Sequence, residues 1–161
     1  MAQARAVMML LAQSPAPFDS VPQMPKESDP DIRIARIIAG LLNLQVSRIR
    51  RRWPDFGTTD FDDFSLGYMF GFVDVMTQRV GIVDEDDAWR IFASLAKALF
   101  GRDMGEAVCV RLPERQNWPE AVWGASTGRN DSLSWLKDPT IPPLGWYQYC
   151  RSESSEAFNS L

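Results

Sequence analysis

Residues 60–101, DFDDFSLGYMFGFVDVMTQRVGIVDEDDAWRIFASLAKALFG, read as two helices in direct succession, each opened by an acidic cap and closed by a glycine. The first takes Thr59 or Asp60 as its cap and runs to about Val80, where Gly81 supplies the left-handed residue that commonly ends a helix. Phe61, Phe64, Tyr68, Phe72 and Met76 recur at helical spacing, and Leu66, Met69, Phe70, Val73 and Val80 widen the apolar arc past half the circumference. A helix this apolar has to be central. The second helix follows Asp84, carries Glu85, Asp86 and Asp87 where they complement its dipole, and stops at Gly101. Its inward face is Ala88, Ile91, Phe92, Leu95 and Leu99.

Upstream of this pair, Pro30 at a first helical position and Pro54 as a stop bracket a third helix over residues 30–52, capped by Ser28 or Asp29. Ile34, Ile37, Ile38, Leu41, Leu42, Ile49 and Trp53 share its apolar face, and Arg33, Arg36, Arg50 and Arg51 lie on its back. Residues 12–30 hold five prolines and are read as a linker or leader. The apolar run Ala6–Leu11 imitates a signal peptide, but its length and the single Arg5 before it are poor matches. A flexible leader over 1–29 is the expectation, followed by one domain over 30–150 and a frayed tail over 151–161.

Beyond Gly101 the helical pattern loosens into glycines and prolines, yet Trp118, Trp123, Trp135, Trp146, Tyr147 and Tyr149 are too many aromatics for a disordered tail. The expectation is an irregular segment wrapping the core, in which AVCVRL (107–112) and GWYQYC (145–150) alternate enough for a small two-stranded ribbon. Asn117-Trp118-Pro119 suggests a short helix start, and 124–130 a surface turn. The fold class is therefore mainly α: a single domain with three central helices (about 30–52, 60–80 and 84–100) and an aromatic-rich C-terminal segment.

Composition narrows the chemistry. The chain of 161 residues has no histidine, which removes imidazole base catalysis and His-ligated zinc or iron. Two cysteines, Cys109 and Cys150, lack metal-motif spacing and are too few for a disulfide framework, so a reducing cytoplasm is the expected setting. No apolar run reaches the roughly 20 residues of a membrane span. The net charge of −4 hides an asymmetry, with residues 1–53 at +4 and residues 54–101 at −6. Pairing between these blocks within the fold is the first reading.

The sharpest local feature is a stripe on the central helix, where Gly67 and Gly71 sit between Asp63 and Asp74. Each glycine costs a helix about 1 kcal/mol relative to alanine, so something must approach the backbone there. Either another helix crosses, the first helix presenting Ala35 or Ala39, or the stripe is a notch for a partner. The clusters Asp60, Asp62, Asp63 and Asp84–Asp87 lack the spacing of a calcium loop and serve as caps; no metal and no cofactor are expected. Arg48, Arg50, Arg51 and Arg52 with Trp53 have the charge and the indole to meet nucleic acid, against an acidic chain as a whole.

These readings converge on a non-enzymatic acidic helical interaction protein, an adaptor, inhibitor or assembly subunit, whose partner is another protein. Its candidate partner-binding residues are Asp63, Gly67, Gly71, Asp74, Arg48, Arg50, Arg51, Arg52, Trp53, Trp123 and Trp135. The rivals are a nucleic-acid-associated protein using Arg48–Arg52 and an enzyme using carboxylates, Cys109, Cys150 or Tyr68. Oligomeric state is left open.

Overall fold

The structure, a computed structural model, describes the backbone of residues 30–58, 61–82 and 84–159 and the side chains of those from 33 to 152. The leader over 1–29 and the Ser28 or Asp29 cap lie outside the described residues. Among the described residues six helices follow one another: α1 (Pro30–Arg52), α2 (Asp63–Arg79), α3 (Glu85–Phe100), α4 (Arg102–Arg115), α5 (Pro119–Lys137) and α6 (Gly145–Asn159). The chain is mainly helical, with no strand among the described residues.

The helical pair of the central stretch forms with one shift. α2 is capped by Asp62, whose carboxylate accepts from the Ser65 N–H at 2.7 Å; Thr59 and Asp60, the caps expected, lie outside the described residues. Gly81 adopts φ of 85°, the left-handed conformation anticipated for it, and Gly101, the second stop, has the same φ. Asp84 caps α3, accepting from the N–H groups of Asp86 and Asp87. α2 is buried on nearly all sides: Phe64, Leu66, Tyr68, Met69, Phe72 and Met76 are at most 1% exposed. It packs on α1, α3, α4 and α5.

The C-terminal third is the main correction. AVCVRL lies inside α4 and GWYQYC opens α6, so the ribbon does not exist. Both segments bury residues at helical intervals that alternation had masked. On α4 these are Gly105, Val108 and Leu112, while Val110 is exposed. On α6, Trp146 is fully buried, with Tyr149 and Cys150 half-buried a turn later. Residues 124–130, expected as a surface turn, are mid-helix in α5, and the short helix start at Pro119 extends for 19 residues. α6 continues through most of the tail, to Asn159.

Two chains of hydrogen bonds fasten α6 to α2. The Trp146 indole N–H donates to Ser65 Oγ at 2.7 Å, and that hydroxyl donates to Asp62 Oδ2 at 2.8 Å. Beside it, Gln45 Nε2 donates to the Tyr68 hydroxyl at 2.7 Å, which donates to Asp131 Oδ2 at 2.6 Å. The same carboxylate oxygen accepts from the Gly145 N–H at 2.7 Å. Burial, reinforced by the Asp131 carboxylate, pushes the Tyr68 phenol well above the ordinary tyrosine value.

The sign of the pH effect follows from that shift. The unfolded phenol ionises near 10 and the folded one above it, so this contribution to stability is intact below about pH 10 and is lost as the pH rises beyond it. In an alkaline titration followed by tyrosinate absorbance, the signal of all three tyrosines is expected only when helical circular dichroism collapses. Full ionisation with the helices intact would contradict the network.

Candidate functional site: an acid-rimmed cleft

The glycine stripe is closed by the chain itself. α5 runs alongside α2 in the same direction, so that Ala121 lies against Gly67 and Ala125 against Gly71. A Cβ on Gly67 would fall 1.9 Å from the Ala121 carbonyl oxygen, and one on Gly71 would fall 2.1 Å from that of Ala125. The relation is mutual. Gly124 and Gly128 meet the carbonyl oxygens of Phe64 and Tyr68, where a Cβ would come within 2.1 and 2.2 Å. Four glycines thus let two backbones touch, and the crossing helix is α5 rather than α1 with Ala35 or Ala39.

The carboxylates flanking the stripe are taken up in the same packing. Asp63 lies 3.7 Å from Arg111 and 3.4 Å from Arg115 of α4. Asp74 pairs with Arg129 of α5 at 3.2 Å and accepts from Gln78 at 2.7 Å. The expected pairing of the acidic block with the Arg48–Arg52 run is absent among the described residues. The arginines that neutralise Asp63 and Asp74 come from the C-terminal helices.

The arginine run divides by role. Arg50 is half-buried; its guanidinium donates to the carbonyls of Phe56 at 3.1 Å and Leu99 at 3.4 Å and lies over the Phe100 ring. It ties the end of α1 to the end of α3. Arg48, Arg51 and Arg52 are exposed, Arg52 lying 5.3 Å over the half-buried Trp53 ring. Trp123 is 55% exposed but leans edge-on against Phe64 and Tyr149. Trp135 is half-buried against the core. The eleven candidate residues are therefore scattered over the molecule and form no common site.

What the structure does assemble is a cleft of about 870 Å³ between the end of α2, the start of α3 and the end of α4. Its floor is apolar, built by Phe70, Val73, Phe92 and Leu112, with Ile82 and Pro113 at its edges. Trp89 stands at the mouth, 36% exposed and stacked on Phe92 at 5.3 Å. Asp74, Asp84 and Glu85 supply the charged lining, and among the described residues no lysine or arginine lines it. Thr77 contributes no free hydroxyl, since its Oγ1 is bound to the carbonyls of Val73 and Asp74.

Of the candidate residues only Asp74 lies on this cleft. The rest of the lining was visible in the sequence only as core or cap. Trp89 carried a signal, because it sits one position off the inward face of Ala88, Ile91, Phe92 and Leu95. The groups available to a histidine-free enzyme lie elsewhere: neither cysteine nor Tyr68 lines the cleft, and burial raises the Cys109 thiol above its usual value. No disulfide joins Cys109 to Cys150. Among the described residues no group of three or more Cys, Asp or Glu side chains is placed to hold a metal ion, and no helix is long and apolar enough to cross a membrane. Comparison with protein-family models, with curated proteins and with solved structures finds no match.

Proposed function

We propose that this chain is a non-enzymatic interaction protein, an adaptor, inhibitor or assembly subunit, that binds another protein through the cleft between α2, α3 and α4. The observation that carries the reading is the cleft itself: an apolar floor with a partly exposed indole at its mouth, whereas Trp118 and Trp123, though more exposed, do not line it. Exposed tryptophan beside a concave apolar surface is the composition of a binding hot spot. A charged rim around an apolar centre is the usual anatomy of a protein interface. The cytoplasm is the proposed setting, where reduced thiols at Cys109 and Cys150 are the ordinary state.

The test is capture from the native host with the full chain as bait, compared with a Trp89→Ala chain whose circular dichroism matches. The expected result is a set of proteins retained by the first and lost, at least tenfold, by the second. A set unchanged by Trp89→Ala contradicts the reading. Recovery dominated by nucleic acid, and lost when Arg48, Arg51 and Arg52 become alanine, favours the rival instead. Those three side chains have no carboxylate partner among the described residues, and phosphate binding through them falls steeply with salt.

A further inference from the structure

We propose that the occupant of the cleft is a basic amphipathic helix of a partner protein, its apolar face on Phe70, Trp89 and Leu112 and a lysine or arginine against Glu85. The inference rests on the preceding reading that a protein binds here and adds the chemistry of that protein's contacting segment.

Charge decides the sign. Of the carboxylates lining the cleft, Asp74 is already neutralised by Arg129, and Asp84 is spent on capping α3. Glu85 is exposed and pairs with no cation among the described residues. Asp86 follows it, and Asp87 is held by Arg90, so the first turn of α3 keeps an excess of negative charge beside an apolar floor. An acidic segment entering there meets like charge; a basic one finds its complement.

Backbone satisfaction decides the conformation. An extended peptide needs a strand edge to pair with, and none exists among the described residues. The cleft is walled by helices, whose backbone groups are largely bonded to each other. A strand laid on Phe70, Phe92 and Leu112 would bury unpaired N–H and C=O groups, whereas a helix brings its own hydrogen bonds and offers apolar residues every three or four positions. The volume, about 870 Å³, lies near the top of the roughly 300–1,000 Å³ range of small-ligand pockets, and the mouth is open enough to expose Trp89.

The probe is a synthetic helical peptide of leucine and lysine in amphipathic register, with a twin carrying glutamate for every lysine, titrated into the full chain by calorimetry. The lysine peptide is expected to bind one to one and its twin at least about tenfold more weakly, the difference shrinking in high salt. Glu85→Lys should weaken the lysine peptide about tenfold. Asp55→Lys, an equal charge change in the turn after α1, beyond the far end of α2 and so about 20 Å or more away, should alter it less than about twofold. Equal weakening by both variants means diffuse attraction to an acidic surface and overturns the proposal. Equal binding of the twins, with Trp89→Ala weakening both, keeps the cleft as a docking site but removes the basic class. Failure of both peptides, while host capture still depends on Trp89, overturns the helix proposal alone; loss of that dependence overturns the reading beneath it.

Discussion

Replacing Gly67 or Gly71 by alanine is expected to destabilise the protein by at least about 3 kcal/mol, at the upper end of what overpacking costs. The added Cβ would sit 1.9 or 2.1 Å from a carbonyl oxygen of α5, and a backbone oxygen cannot rotate aside as a side chain can. Only separation of α2 from α5 relieves the clash, which breaks the reciprocal contacts at Gly124 and Gly128 as well. That shared penalty has a signature in urea unfolding. Gly67→Ala and Gly124→Ala combined should cost clearly less than the two singly, because one separation serves both. Gly40 is the control: in α1 a Cβ there meets nothing within 4 Å, so Gly40→Ala should stabilise by about 0.5–1 kcal/mol. A notch for a partner predicts the reverse pattern, with stability kept at Gly67 and Gly71 and binding lost.

Trp146→Ala is expected to cost about 3–5 kcal/mol, a large share of the 5–15 kcal/mol typical of a domain. Its ring is fully buried, with Phe56, Phe61, Tyr68 and Phe100 at centroid distances of 5.7, 5.9, 5.3 and 6.3 Å. It gathers the end of α1, the start of α2 and the end of α3 around the first turn of α6. Its indole also holds the Ser65–Asp62 pair that caps α2. Trp146→Phe keeps much of the ring contact and loses the N–H donor, for which about 1–2 kcal/mol is expected. Loss of less than about 1 kcal/mol for the alanine variant would show that α6 merely rests on the other helices.

The helices of residues 30–101 were legible because three signals agreed there. Apolar spacing, acidic caps and terminal glycines or prolines all marked the same boundaries, with only the Asp62 cap displaced from Thr59 or Asp60. The C-terminal third was misread because its signals conflict. Val108, Cys109 and Val110 alternate with neighbours as a strand would, while Gly105, Val108 and Leu112 carry the helical period that burial follows. Gly124 and Gly128 look like turn residues in isolation, and their meaning appears only beside Gly67 and Gly71.

The stripe itself was found; its partner helix was not. A single helix shows that a backbone must be approached without showing by what. The cleft was the least legible feature, since it needs Phe70, Trp89 and Leu112 from three helices at once. Each alone reads as core, and the vacancy between them is a property of packing geometry. The acidic clusters at the starts of α2 and α3 read in the sequence as caps, and the structure places an apolar floor beside the second of them.

The claim at the centre of this account is that binding occurs at the cleft and not at the arginine-bearing end of α1 or on the tryptophans of α5. Amide and indole NMR shifts of the full chain, recorded as the leucine–lysine peptide is added, test it in one experiment. The account predicts that the Trp89 indole and the amides of Phe70, Glu85, Phe92 and Leu112 move together and saturate, while Arg48, Arg51, Trp53 and Trp123 stay in place. Movement concentrated at Arg48–Trp53 or around Trp123, with Trp89 unmoved, would contradict it.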